Sequence, residues 1–267
     1  MKSVLIIAAL LWATSTSAQD SIRMAVTTSF HNSGLADVLL PEIQTDLGLE
    51  VQLLIVGTGQ ALRLGEAGDV DAILVHSRTA EEAFVAAGHG THRREIMYND
   101  FVLIGPSDDP AEVGSASDAA VALQRIATSD AQFVSRGDDS GTHKKELSLW
   151  LDAGLNVEGF GDGYLAVGAG MGAALNTASG LNAYILSDRA SWLNFANKGD
   201  LSLLFSGDPV LFNQYAYLPV NPERHTHVKA GLAHQLEGWL TSDRAEELIN
   251  GFAIGGENPF VFNAQDM

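Results

Sequence analysis

Between residues 22 and 87, short solid runs of apolar residues alternate with stretches of helical period. Residues 22–28 read as a buried strand, 35–47 as a helix, 49–56 as a strand rich in Val, Leu and Ile, and 60–66 as a short helix. Residues 71–75 then read as a strand and 80–87 as a helix. Strands separated by helical segments of about ten residues predict βαβ units, hence a mainly parallel sheet with helices on its faces. In such sheets ligands sit beyond the carboxyl ends of the strands, so the loops 27–34, 57–60 and 76–79 are expected to share one edge.

The alternation breaks at 94–105, where Ile96, Met97, Tyr98, Phe101, Val102, Leu103 and Ile104 form an extended run with no helical signal. Its length suits a strand that crosses from one lobe to another. After the polar stretch 108–117 the pattern restarts, with a helix at 119–127, a strand at 132–135 and a helix at 142–153. Residues 201–205 and 211–220 read as a return crossing, and helical segments at 228–240 and 244–252 close the first lobe. The expected architecture is α/β and two-lobed. Lobe 1 comprises residues 19–103 with 212–267, and lobe 2 comprises 104–211.

The first 18 residues stand apart. Met1-Lys2 is a short basic start, residues 4–13 form an apolar run, and Thr16-Ser17-Ala18 supplies small residues for a cleavage site, so a signal peptide cut after about Ala18 is expected. The apolar run falls short of the ~20 residues that a membrane helix needs. With no cysteine after it, lipid attachment at a mature N-terminal Cys is impossible. The mature protein is expected to be exported, periplasmic and free in solution.

Composition narrows the function. Against 33 Asp+Glu stand only 15 Lys+Arg, for a formal charge of -18, and there is no Cys. Loss of Lys2 with the leader makes the mature chain more acidic by one charge. No basic stripe serves a nucleic acid, and no basic cluster serves an anionic membrane. Zero cysteine removes disulfide scaffolds, thiolate metal sites and cysteine nucleophiles. The acidic balance does not exclude a small anionic ligand, because at physiological salt the Debye length is about 8 Å and a few oriented donors set the potential inside a cleft.

Candidate chemistry lies where strands hand over to helices. Thr27-Thr28-Ser29 with Asn32-Ser33-Gly34, then Gly57-Thr58-Gly59-Gln60, then Ser135 to His143 each place hydroxyls and glycines before a helix. Helix N-termini carry unpaired N–H groups and about half a positive charge, so three of them converging would form an oxyanion site. Each loop alone also suits ordinary helix capping. Arg136 adds a rigid fork matched to a tetrahedral oxyanion. Of Asp138 and Asp139, one is expected to brace Arg136 while the other caps the helix and faces solvent.

These loops, together with Met97-Tyr98-Asn99-Asp100-Phe101-Val102, Gly170-Met171-Gly172 and Ala183-Tyr184 with Asp188-Arg189, resemble the periplasmic tungstate-binding proteins of ABC transporters over nearly all of the mature chain. The Arg-x-Asp-x-Ser-Gly-Thr core is shared with phosphate-binding proteins of similar fold. The resemblance implies a type II periplasmic-binding fold and a non-enzymatic solute-binding protein. It would hold tungstate, and molybdate as a related ion, in its cleft and deliver the ion to a membrane permease with its ATPase, needing no cofactor. By position it implies oxyanion contacts from Thr28, Ser29, Thr58, Arg136, Ser140, Gly141 and Thr142, with Asp138 behind them. The sequence departs from the family at Val26, where relatives carry Thr, and at Phe30-His31 in place of Thr-Asp.

Ligand protonation separates the alternatives. Phosphate keeps a proton and benefits from an acceptor carboxylate, whereas tungstate, molybdate and sulfate want donors only. The loop Val75-His76-Ser77-Arg78 has no acid, which leans toward deprotonated ions, although Asp138 or Asp139 could still serve phosphate. Against a serine hydrolase using Ser140, Gly137-Asp138-Asp139-Ser140-Gly141 has the wrong spacing for a nucleophile elbow. His225, His227 and His234 lack a further partner at metal-ligand spacing and read as a polar turn before a helix. His143 reads as a surface or supporting residue, and Tyr98, Trp192 and Tyr184 as core or cleft-wall aromatics. A monomer is expected.

Overall fold

The computed structural model describes residues 20–264, so the signal-peptide expectation lies outside the described residues. The first lobe is built on β1 (Ser21–Thr27), flanked in parallel by β2 (Glu50–Val56) and β3 (Ala72–Val75). The connecting helices are α1 (Thr28–Asn32), α2 (Leu35–Leu47), α3 (Thr58–Ala67) and α4 (Arg78–Ala86). Helix α2 starts and stops at Gly34 and Gly48, both left-handed (φ 82° and 64°), which glycine adopts without a Cβ penalty. Alternation along β1 feeds two cores: Met24 and Val26 face one side of the sheet, Ala25 the other.

Strand β4 (Arg94–Pro106) is the crossing. Up to Asp100 it pairs antiparallel with β9 (Phe212–Pro219), and from Phe101 onward it pairs with β7 (Tyr184–Asp188) and β8 (Leu201–Phe205). Its side chains split in the same way, Phe101 and Leu103 entering one core of the second lobe and Val102 and Ile104 the other. The second lobe contains α5 (Ala119–Thr128), β5 (Phe133–Ser135), α6 (Gly141–Asp152), β6 (Tyr164–Ala166), α7 (Met171–Leu181) and α8 (Arg189–Asn194). Helices α9 (Ala230–Leu240) and α10 (Asp243–Gly251) return to the first core, and β10 (Val261–Phe262) pairs with β4 at Tyr98 and Met97.

Two features refine the sequence reading. The parallel pairs are β1–β2, β1–β3, β5–β6 and β5–β7, and every antiparallel pair of strands involves β4 or β9. A strand that leaves a lobe and one that returns run in opposite directions, so antiparallel pairing belongs to the crossings. The return path is also broken: β8 stays with the second-lobe half of β4, β9 with the first-lobe half, and a short turn at Pro209–Leu211 joins them. The crossing is braced by Arg189, whose Nε and Nη2 each donate to Asp100 at 2.7 Å, and by Asn213 Nδ2 donating to Asn99 Oδ1 at 2.7 Å.

Candidate functional site

The parallel units of both lobes deliver strand C-termini to one cleft, carrying Thr27, His76 and Arg136 with the helices that follow. The N-termini of α3 and α6 face each other there. An ideal Cβ on Gly141 would lie 2.7 Å from His76 Cε1, 2.9 Å from His76 Nδ1 and 3.1 Å from Thr58 Oγ1, so the lobes touch at a point only glycine permits. From the first lobe, Ser29 Oγ lies 3.0 Å from Thr27 Oγ1, 3.0 Å from His76 Nε2 and 3.4 Å from the Tyr215 hydroxyl. From the second, Arg136 Nη1 approaches Thr142 Oγ1 at 3.5 Å, and Nη2 donates to Asp138 Oδ2 at 2.5 Å. Ser29, Thr58, Arg136, Ser140, Gly141 and Thr142 are buried, and Thr28 is half-buried.

Thr58 Oγ1, His76 Nδ1 and Arg136 Nε are buried with no hydrogen-bond partner among the described residues, as is Asp188 Oδ2, whose carboxylate acts electrostatically on Arg136 and Tyr215. Buried polar atoms are normally paired, so the three donors mark a place where something else supplies the acceptor. Burial, and then the nearby Arg136 charge, pull the His76 pKa from 6.5 down to about 4, so the ring is neutral at neutral pH. A neutral imidazole has one donor and one acceptor nitrogen, and with Nε2 beside a hydroxyl it can present Nδ1–H to the cleft.

Comparison with known proteins gives this geometry a family. Residues 13–244 match the family model of the PBP superfamily domain. A tungstate-binding protein TupA from Peptoclostridium acidaminophilum is 45% identical over 239 residues, covering 89% of this chain and 83% of that protein. The chain belongs to the TupA family. Two solved structures agree: the tungstate-binding protein TupA of Desulfovibrio alaskensis G20 (42% identity, TM-score 0.82, 92% of this chain and 100% of that one) and the tungstate ABC transporter structure of Geobacter sulfurreducens (45%, 0.81, 88% and 100%). The fold is therefore the two-lobed periplasmic-binding architecture.

Within this TupA-family cleft several expectations change. The cap of α6 is Ser140, whose Oγ accepts from His143 N at 3.2 Å, and not one of the two aspartates. Asp138 Oδ1 accepts from Ser140 N while its other oxygen meets Arg136. Asp139 is solvent-facing, held left-handed (φ 59°), and pairs with Lys144 at 3.3 Å. Capping does not exhaust Ser140, because a hydroxyl that accepts one bond still has a proton to donate. In the first loop the cap is Thr27, which accepts from Phe30 N. Val26 and Phe30 are core residues, so the missing family hydroxyls fall where side chains face apolar packing, and His31 is exposed.

His76 and Tyr215 are cleft residues that sequence reasoning did not assign. His76 ends the third parallel strand, which was a signal. Tyr215 sits 186 residues from Ser29 and had none. Arg189 is committed to Asp100 rather than to the cleft. His143 Nδ1 accepts from Asp139 N, a supporting role in the loop before α6. His225 and His227 bond the backbone carbonyls of Glu66 and Gly68, and among the described residues there is no metal-ligating group of three or more. Tyr184 is a core residue whose hydroxyl donates to Asp109 Oδ1.

Proposed function

We propose that this protein captures tungstate, with molybdate as a secondary ligand, in the interlobe cleft and hands it to a membrane permease with its ATPase. It acts as an exported monomeric solute-binding protein, without a cofactor or a catalytic step. The observation that carries this reading is the convergence of unpartnered buried donors, Thr58 Oγ1, His76 Nδ1 and Arg136 Nε, between two opposed helix N-termini in a TupA-family chain. The ligand contacts are Thr28, Ser29, Thr58, Arg136, Ser140, Gly141 and Thr142, with Asp138 fixing the Arg136 fork from one side. A fully deprotonated tetrahedral ion accepts from all of these and needs no acceptor in return. Asp138 is already engaged by Arg136 and the Ser140 N–H.

The division into residues 19–103 with 212–267 and residues 104–211 belongs to the same reading. The change of partners along β4 after Asp100 supports it, and in this reading the crossings act as the hinge for lobe closure. The signal peptide ending near Ala18 and a periplasmic location complete it. Among the described residues no helix is long and apolar enough to cross a membrane.

A calorimetric and thermal-shift panel of tungstate, molybdate, sulfate, phosphate and chromate tests the assignment. Tungstate is expected to stabilise the mature protein by about 4 kcal/mol at a thousand-fold excess over its Kd. Arg136→Ala is expected to weaken binding by at least ~1.5–3 kcal/mol, the range for a hydrogen bond to a charged group. No stabilisation by any oxyanion refutes the reading, and preference for phosphate or sulfate replaces the ligand.

A further inference from the structure

Beside the inner site, on the outer side of His76 and Gly141, lies a cavity of about 580 Å³ between the lobes. It runs from the start of α4 across the β4 and β9 crossing to the outer face of α6. A cavity of that size holds a drug-sized molecule, so it is far too roomy to be the close-fitting seat of a tetrahedral oxyanion. Its charge is opposite to that of the molecule. In a chain with 33 acids and 15 Lys+Arg, the residues lining it include Arg78, Lys144 and Lys145 and no Asp or Glu.

These cations are held differently. Arg78 is paired with Glu82 at 2.7 Å and approaches Glu95 at 3.6 Å, and Lys144 is paired with Asp139. Lys145 is half-buried and makes no ion pair among the described residues. Burial weakens its hold on the proton, with Asp152 and Asp208 pulling the other way from a distance. A partly desolvated ammonium with no ion-pair partner is a cost to the fold, and here it lines the same cavity as His76 and Gly141.

We propose that this cavity is the vestibule through which the oxyanion reaches the inner site, and that Lys145, helped by Lys144, steers the anion inward without touching it once bound. The inference rests on the oxyanion-binding reading and adds to it a route and a rate. The net negative field of the protein slows approach of any anion, and an acid-free cavity wall carrying an ammonium with no ion pair offsets that field locally. One charge acting on a dianion from ~10 Å in water changes its local concentration roughly fourfold.

The test is stopped-flow tryptophan fluorescence of the mature protein with tungstate, comparing wild type, Lys145→Met, Lys144→Met, the double variant and the charge-preserving Lys145→Arg. At an ionic strength of ~0.01 M, where the Debye length is about 30 Å, the association rate is expected to fall roughly fourfold in each single Met variant and further in the double. Dissociation should stay within about twofold of wild type, Lys145→Arg should keep the wild-type rate, and the differences should vanish near ~1 M salt. Unchanged association at low salt overturns the vestibule. So does a rise in dissociation matching the loss of affinity, which would make Lys145 a contact of the bound ion. Lys144→Met alters an ion-paired side chain at the cavity rim, so it keeps the test alive should Lys145→Met not fold. A wild-type protein that shows no tungstate binding by calorimetry would instead remove the reading beneath.

Discussion

Replacing Gly141 by Ala isolates lobe closure from folding. The added methyl would sit 2.7 and 2.9 Å from two atoms of the His76 ring and 3.1 Å from Thr58 Oγ1, whereas carbon atoms pack best at about 3.5–4.0 Å. The ring cannot retreat freely, because its centroid lies 4.8 Å from that of Tyr215 and 6.3 Å from that of Phe101, and its Nε2 is beside Ser29 Oγ. Overpacking of this kind costs about 1–3 kcal/mol. The clash exists only where the lobes meet, so it falls on the closed, ligand-bound form: tungstate affinity should drop about five- to 150-fold. The ligand-free protein should melt at the same temperature or slightly higher, since Ala is the better helix former by up to about 1 kcal/mol at this first position of α6. Calorimetric titration alongside thermal melts of the free protein reads both quantities. A double-mutant cycle with His76→Ala, which removes the obstructing ring, should recover most of the Gly141→Ala penalty. A Gly141→Ala protein that binds within twofold of wild type would show that the lobes do not close on this contact.

Two further outcomes concern pH. His76 has its pKa depressed from 6.5 to about 4, so the unfolded chain binds its proton first and stability falls as pH drops below 6.5, by about 2 kcal/mol at pH 5. His76→Gln should flatten the melting temperature between pH 7 and 5, and identical slopes in the two proteins would contradict the burial argument. Glu146 runs the other way: burial raises its pKa from 4.5 to about 7, against the donors Tyr164 (2.6 Å) and Trp150 (3.2 Å). Its contribution is therefore present below pH 4.5 and lost as pH rises through 7. Glu146→Gln, which keeps an acceptor for both donors, should raise the melting temperature more at pH 8 than at pH 5, and an equal change at both would count against the assignment.

Much of the fold was legible because it is written in short-range pattern. Helix α2 spans residues 35–47 as its apolar period predicts, and the unbroken run through 94–105 is the crossing strand. Elements between residues 164 and 194 were not read from pattern, and the cause is compositional. Helix α7 is made of MGAALNTASGL, whose small side chains leave a weak apolar face, and β6 is a three-residue strand. Strand β7 is buried along its whole length, so it shows no alternation. The broken return crossing was likewise invisible, since extended runs at 201–205 and 212–219 look alike whether or not they pair with the same half of β4.

The sequence by itself determined the alternating α/β units, the loops that end in hydroxyl and glycine before each helix, and the presence of Arg136 in one of them. Those features depend on neighbours a few residues apart, where period, capping and turn chemistry act. Tertiary structure alone decided that Asp138 rather than Asp139 meets Arg136, that Ser140 is both cap and cleft residue, and that His76 is a buried neutral ring wedged against Gly141. It also decided that Lys145, with no ion pair among the described residues, lines an acid-free cavity in a chain whose net charge is strongly negative. Burial, donor satisfaction and local field are sums over everything that packs nearby, and for this cleft those contributions come from segments that only the two crossings of the chain bring together.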